Sequence, residues 1–353
     1  MGFDFFWRKK KNDILVLDIG TEAVKAVFCQ SGKEKEGIRI LDRALEYFEE
    51  FGVFDGNEFD VLIIKKAILK AIEKINQKKA EILISLPPNI FKARIAKLNF
   101  IREKPKEKIS PKEQAVILNQ IFDRARRKIS RQFAKDFGIL ASDIQWIVFE
   151  ILDIKIEGYS VHTLRGYRGK ELEFKLLATF LPKHYFGSME KIFKDLGLKI
   201  SRIMHLAEAL PSFFKDKISD GVFVDVGGKV SQLLILRNKQ IVEIMEIDKG
   251  GEAFTEELSQ TLGIDIESAR VLKERYSSGD LSQGSAERLR EVFSQQRRAW
   301  QQEGLVHSFS SPIFLFGGGS LLPEIKKSFQ GATVFKDPQY IPAFMLCQKK
   351  FMI

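Results

Sequence analysis

Two aspartates, Asp18 and Asp225, stand in matching surroundings far apart in a chain of 353 residues. Each closes an apolar run ("ILVLD", "GVFVD"), meets a glycine after one intervening residue, and leads into a second apolar run. A glycine turn lets backbone N–H groups approach phosphate oxygens with no side chain in the way. A carboxylate at the strand end can hold a hydrated magnesium ion, which prefers oxygen ligands and keeps several waters. Two such hairpins facing each other would clamp one nucleoside triphosphate between two domains. A third turn, Gly317-Gly318-Gly319-Ser320, follows the apolar run Ile313 to Phe316 and would let a nucleoside pack against backbone. One Asp-x-Gly hairpin is an ordinary turn; two copies with a late triple glycine are far more specific. The single-copy alternative, Gly-x-x-x-x-Gly-Lys-Ser/Thr, does not occur, and "GYRGKE" is too short to replace it.

The elements that must position these turns are legible in the pattern of apolar residues. Strands are expected at Ile14 to Asp18, Val24 to Gln30 and Ile38 to Leu45, and again at Gly221 to Asp225, Ser231 to Leu236 and Ile241 to Ile247. "VLIIKKAILKAIEKI" has helical spacing with its lysines on the opposite face. Ala80 to Leu86 is a strand closed by Pro87 and Pro88. The character then changes: strands at Lys92 to Leu98, Ile147 to Ile156 and Leu172 to Phe180 surround a helix from Pro111 to Phe133. Residues 85–181 therefore read as an inserted subdomain. Helices are expected at Tyr185 to Leu196, near Glu252, near Glu267 and after Pro323. "SAERLREVFSQQRRAWQQEG" reads as one polar, exposed helix after the flexible loop "SSGDLSQGS".

The bulk properties are those of a globular protein, 44% hydrophobic and 29% charged, with room for two or three domains. No apolar run is long enough to span a bilayer, and the start "MGFDFFWRKKK" lacks the order and apolar core of a secretory leader. Two cysteines, Cys29 and Cys347, make neither a disulfide framework nor a metal cluster, so a reducing cytoplasm is the expected compartment. Four scattered histidines give no metal-ligand spacing. The net charge of +10 favours polyanions. Its densest parts are the N-terminus and the segment from Lys92 to Lys135, which includes "REKPKEK" and "RARRKISR". No zinc-finger spacing or aromatic-basic sheet motif argues for specific nucleic-acid binding. At the N-terminus Phe3, Phe5, Phe6 and Trp7 precede Arg8, Lys9, Lys10 and Lys11, a composition suited to a short foot on an anionic membrane surface. A tail docking onto a partner fits the same residues.

At the glycine turns the chain resembles the actin-like ATPase superfamily. "LDIGTEAVKAVF" looks like its first phosphate motif, "VDVGGKVSQLLIL" like its second and "LFGGGSLLPEI" like its adenosine motif. Within that superfamily it is most similar to the FtsA and PilM group. The resemblance implies an α/β fold of duplicated actin-like (ribonuclease H-like) domains, with an inserted α+β subdomain called 1C and a reduced subdomain 2B. It divides the chain into a tail (1–13), subdomain 1A (14–84 and 182–215), 1C (85–181), 2A (216–248 and 312–353) and 2B (249–311). It implies ATP and Mg2+ as cofactors, with Asp18 and Asp225 at the metal. Asp18, Gly20, Thr21 and Lys25 take the first phosphate turn; Asp225, Gly227, Gly228 and Lys229 take the second. Gly250 and Gly251 match paired glycines beside the nucleotide, Glu267, Arg270 and Lys273 border base and ribose, and Gly317, Gly318 and Gly319 form the adenosine loop.

The departures from the pattern matter as much. Lys229, Val230, Ser231 and Gln232 stand where the family has a small residue and threonines, so a hydroxyl is lost at Val230 while Lys229 could reach a phosphate. Met204 and His205 stand where the connecting helix carries a Glu-Pro pair, leaving no identifiable water-activating base. His205 reads as a helix-face residue, and Trp146 and Trp300 as packing residues. The chain stops at "CQKKFMI" without the amphipathic C-terminal helix by which FtsA meets the membrane. The implied function is an ATP-binding cytoplasmic adaptor, peripheral on the cytoplasmic membrane, that self-associates and engages an FtsZ-type C-terminal tail. The alternative is a PilM-like pilus component engaging a PilN-type peptide. Two further readings on the same fold are an active kinase or ATPase and a degenerate relative without nucleotide.

Overall fold

The computed structural model describes residues 13–32, 38–50, 52–54, 59–75, 80–302 and 310–352. The expected membrane foot, Phe3, Phe5, Phe6, Trp7 and Arg8 to Lys11, lies outside them.

The first half opens with β1 (Ile14–Ile19), β2 (Ala23–Ser31) and β3 (Ile38–Tyr47), then α1 (Val61–Lys74) and β4 (Glu81–Ser85). An insertion follows: β5 (Lys92–Ile101), α2 (Pro111–Phe137), β6 (Ile144–Ile156), β7 (Tyr159–Ser160) and β8 (Glu171–Pro182). The half then resumes with α3 (Lys183–Asp195), β9 (Ile200–Ile203) and α4 (Leu206–Phe214). The second half repeats the plan with β10 (Gly221–Val226), β11 (Ser231–Arg237) and β12 (Gln240–Ile247). Four helices come next: α5 (Glu252–Leu262), α6 (Ile266–Ser278), α7 (Gln283–Val292) and α8 (Ser294–Gln302). It closes with β13 (Ile313–Phe316), α9 (Pro323–Ser328), β14 (Thr333–Val334) and α10 (Ile341–Met352).

The two central sheets have the same order, β3-β2-β1-β4-β9 and β12-β11-β10-β13-β14. In each, the leading three strands are antiparallel and the last two join in parallel. Parallel neighbours require crossover connections, so helices must lie on the sheet faces. The apolar runs of β1 and β10 are buried on both faces for that reason. The duplication therefore extends to register: Asp18 pairs with Lys25 on β2, and Asp225 pairs with Gln232 on β11. The slot that α1 fills between β3 and β4 is filled in the second half by α5 to α8.

The halves meet through α4 and α10, the equivalent helices that end each repeat. Leu206, Leu210 and Phe214 of α4 share a core with Ala343, Met345 and Leu346 of α10, reaching Val16 and Val27 on one side and Phe223 and Leu234 on the other. Burying such a side chain contributes about 1.5–3 kcal/mol, so this seam holds the halves together far better than surface ion pairs could.

The insertion is its own layer, a sheet of order β5-β8-β6-β7 with α2 across one face. Helix α2 begins at Ser110, whose hydroxyl accepts the Glu113 N–H with Pro111 behind it, and ends at Gly138 in the left-handed conformation. Ile117, Ile121, Ala125, Ile129 and Phe133 form its buried stripe. The inserted sheet is tied to the second half: Lys92 and Arg94 on β5 bond the Glu246 carboxylate on β12 at 2.5 and 2.9 Å. Lys92 also lies 4.9 Å over the Phe137 ring.

The expected strands appear at the expected places, several one to three residues longer. The exposed polar helix after residue 285 does not. It is two helices, α7 and α8, broken at Phe293, and Leu289, Phe293 and Trp300 are buried against Phe254, Tyr276 and Phe329. Its abundant charge hid a narrow apolar stripe whose four- and seven-residue spacing is a helical face. The short strands β9 and β14 and the helices α4 and α10 had no clear sequence signal.

Removing one member of a buried charge cluster leaves the others uncompensated, at a cost of about 3–5 kcal/mol. Glu246→Gln should therefore lower the urea-unfolding free energy by roughly 3 kcal/mol, with both Lys92 and Arg94 stranded. A loss below about 1 kcal/mol would show that solvent already screens the cluster.

Candidate functional site

A cleft of about 540 Å³ lies between the two central sheets. Asp18 enters it from the end of β1 and Asp225 from the end of β10, so the equivalent carboxylates of the repeats converge on one space. Lys25 stands with them, its Nζ 3.3 Å from Asp18 Oδ2. Burial pulls the Lys25 ammonium down, but Asp18 and Asp225 outweigh it and hold the group above the ordinary lysine value. Burial and the Asp18 charge push the Asp225 carboxyl up to about 7, with Lys25 opposing. One cation thus serves two carboxylates, and the second carboxylate keeps its proton near neutrality.

The two glycine turns approach each other directly. Thr21 Oγ1, on the first, accepts the backbone N–H of Lys229, on the second, at 3.0 Å. Behind the second turn, the N-terminus of α5 donates to it: Gly251 N–H to Gly227 O at 2.9 Å and Glu252 N–H to Gly228 O at 2.8 Å. A Cβ on Gly250 would collide with the carbonyl oxygens of Gly227 and Gly228, so only glycine admits this approach. Gly317 has φ +83° and lies against Asp225 Oδ1 and the Val226 carbonyl, where any side chain would be both strained and blocked. The loop from 317 to 320 turns through a 3-10 segment, with the Ser320 hydroxyl bonded to Gly317 O at 2.7 Å.

Asp18, Gly20, Thr21, Lys25, Asp225, Gly227, Gly228, Gly251, Lys273, Gly317, Gly318 and Gly319 line the cleft. Lys273 is buried and bridges the halves, its Nζ 3.2 Å from Gly251 O and 3.6 Å from Glu22 Oε1. The other four candidates do not line it. Lys229 and Gly250 border a smaller pocket behind the turn, with Asp248 and Glu252. Lys229 stands in the turn ahead of β11 and lines this smaller pocket, whereas the sequence expectation put it at a phosphate in the cleft. Arg270 binds Glu267 at 2.6 Å and the Phe48 carbonyl at 3.0 Å, with its guanidinium 5.0 Å from the Tyr47 ring. It therefore ties α6 to the first half at the rim of the cleft rather than inside it.

Several cleft residues had no flag in the sequence. Gln232 occupies the register position that Lys25 holds in the first repeat, and that equivalence was the available signal. His205, expected on a helix face, caps α4 instead: its Nδ1 accepts the Ala207 N–H at 3.0 Å, while Glu208 accepts the His205 N–H at 2.9 Å. Burial, with Arg94 and Lys92 nearby, lowers the imidazole to about 4 against the opposing Glu246 charge. The ring is therefore neutral, with Nδ1 free to accept the Ala207 N–H. Val271 and Leu321 are exposed apolar residues on the cleft wall, a surface suited to a flat ring system.

Among the described residues no group of three or more His, Cys, Asp or Glu side chains could hold a metal by itself. A divalent ion at Asp18 and Asp225 would need phosphate oxygens and water for its remaining positions, the pattern of magnesium bound together with a nucleotide. The donor set fits that group: two carboxylates, an adjacent lysine and turns with no side chain over them.

The sequence model of the family described as cell division protein FtsA matches residues 222–345, which span the second turn, α5, α6 and the late glycine loop. The chain is 22% identical over 367 aligned positions to the cell division protein FtsA of Enterococcus hirae, covering 92% of this chain and 77% of that protein. It is 21% identical to FtsA of Enterococcus faecalis, covering 74% of this chain and 57% of that protein. Among solved structures, a chain of a PilM–PilN type IV pilus biogenesis complex superposes with TM-score 0.68 at 15% identity, covering 96% of this chain and 98% of that one. The ethanolamine utilization protein EutJ of Carboxydothermus hydrogenoformans gives 0.52 at 14% identity over 95% and 88% of the two chains.

The Asp225 shift makes a pH prediction. Between about pH 4 and 7 the folded chain retains a proton that the unfolded chain has released, so this group's effect lowers stability as pH rises through that window and is level above it. Asp225→Asn removes the effect: the variant should be more stable than the parent at pH 8, by up to about 4 kcal/mol, and match it near pH 4. A variant less stable at pH 8 would mean the carboxylate is ionised and held by Lys25.

Matched sequence over residues 222–345 and likeness of fold over nearly the whole length show an actin-like fold and make the chain similar to the FtsA and PilM group.

Proposed function

We propose that this chain is an ATP-binding adaptor of FtsA type, in which the nucleotide state of the cleft governs contacts made by the rest of the molecule. The observation that carries the reading is the convergence of Asp18 and Asp225, with Lys25 between them, on a cleft floored by glycine turns. Magnesium, when bound with ATP, would supply positive charge that neutralises the phosphates beside these carboxylates. Thr21 and the amides of the turns would orient the phosphates, Lys25 would add a fixed cation, and Val271 and Leu321 would flank the base. Lys273, which reaches from α6 to Glu22, joins the halves across the cleft and would register how far they close.

Binding suits this site better than rapid turnover. Glu208, the carboxylate at the start of α4, is committed to the Arg202 guanidinium at 2.9 Å and to the His205 N–H. His205 itself is neutral and fixed as a cap. The chain would therefore hold ATP as a structural state and hydrolyse it slowly at most.

The adaptor reading extends to partners: an FtsZ-type C-terminal tail, further copies of this chain, and the inner face of the cytoplasmic membrane. No helix among the described residues is long and apolar enough to cross a membrane, so the attachment proposed is peripheral. A second reading, a PilM-like component that engages a PilN-type peptide, is favoured by the superposition with the PilM–PilN structure over 98% of that chain.

Titration with a fluorescent ATP analogue and Mg2+ should show saturable binding that weakens at least tenfold in Asp18→Ala; equal binding by both would remove Asp18 from the site. Sustained turnover near the enzyme median of about 10 per second would defeat the adaptor reading. Parallel capture on an FtsZ-type tail and a PilN-type peptide separates the two branches, and the adaptor of division type should retain only the first.

A further inference from the structure

Helix α2 uses one side for the inserted sheet and leaves the other to solvent. Arg124, Arg127, Lys128, Arg131 and Lys135 are all exposed on it. Their spacing of three, one, three and four residues puts all five on one flank of the helix, over a length of about 16 Å. Between residues 114 and 136 no acidic residue shares that flank. Asp123 pairs with Arg126 at 3.0 Å off the stripe, and Asp136 falls on the far side. Arg124 and Lys128 lean over the free edge of β5 and donate to the carbonyls of Asn99 and Lys97 at 3.2 and 3.4 Å. That contact blocks the strand edge against pairing and fixes the stripe relative to the sheet. Arg127, Arg131 and Lys135 have no acidic partner among the described residues. Beyond the C-terminal end of the stripe Leu140 is 65% exposed, while Phe137 turns to the other side of the helix, against Phe133 and under Lys92.

We propose that this flank is a docking surface for an anionic phospholipid bilayer. A helix flank is convex, and neither the cleft nor the pocket behind the second turn is lined by α2, so no groove is offered to a peptide. A flat array of phosphates needs none. The exposed Leu140, just past the Gly138 cap that ends the helix, offers an apolar side chain at headgroup depth, a feature that nucleic-acid phosphates would not use. Each basic side chain near an anionic leaflet strengthens binding by about fivefold, so the three unpaired cations alone give a substantial attraction. The inference extends the adaptor reading by giving its membrane contact a place within the described fold, and it does not depend on nucleotide.

Flotation of the full chain with phosphatidylglycerol–phosphatidylcholine vesicles tests it, with pure phosphatidylcholine vesicles as reference. The triple variant Arg127→Gln, Arg131→Gln, Lys135→Gln should partition at least tenfold less than the parent onto the anionic vesicles. Lys104→Gln, Lys106→Gln, Lys108→Gln removes the same charge from an exposed loop of the same layer and should stay within about twofold, since its side chains are off the flank. The proposal fails if the first variant partitions like the parent, if both variants lose binding equally, or if neutral vesicles bind the parent as well as anionic ones. It also fails if duplex RNA displaces the parent from vesicles through the same three residues. The ATP-analogue titration on the first variant separates the two readings: unchanged nucleotide binding shows an intact fold, so a failure at the bilayer leaves the nucleotide site untouched.

Discussion

Two carboxylates and one ammonium, buried where the repeats face each other, are the constraint around which the rest of this molecule is arranged. Asp18 and Asp225 are brought together by a pseudo-symmetric pairing of sheets, and like charges in a half-dry cleft repel. The chain answers with a single lysine and with a proton retained on Asp225. Neither answer is as complete as a divalent ion with a polyphosphate would be. That unfinished balance is why a packed seam would not form here and why the cleft suits the proposed ligand.

The surroundings keep the balance in place. The Gly250 and Gly317 positions let backbone approach backbone and carboxylate so closely that the second turn has a single possible seat. The turn is held from behind by the α5 amides and from the front by Thr21. Closure of the halves is resisted or permitted at three kinds of contact. The α4–α10 seam is apolar and suits a hinge, the Lys273–Glu22 and Arg270–Phe48 bridges cross the cleft mouth, and the Glu246 cluster ties the inserted layer to the second half. The inserted layer is thus linked to the cleft through β12, which carries Glu246 beside Gln232.

Much of the candidate site was legible because a duplication doubles its signal. Asp18 and Asp225 were each unremarkable, and their shared context made them a pair. Gln232 was readable by the same logic, since it holds the position of Lys25, yet an amide carries less chemical suggestion than a lysine. Lys229 fits phosphate by its type, while the fold of the turn puts it at the smaller pocket. Helical spacing places Glu267 and Arg270 on α6, and only packing shows that the helix turns Arg270 toward Phe48 and Tyr47 at the cleft rim.

By itself the sequence determined the local elements of this protein, the doubling of its core and the identity of its two acidic turns. Those follow from apolar periodicity and from glycine, which act over a few residues. It did not determine which residues meet across the halves. His205 as a neutral cap in the cleft wall, Lys273 spanning to Glu22, and α7 and α8 folded over Trp300 all depend on contacts between segments remote in the chain. Such contacts are selected by the burial of whole faces, and no local pattern encodes which face will be opposite.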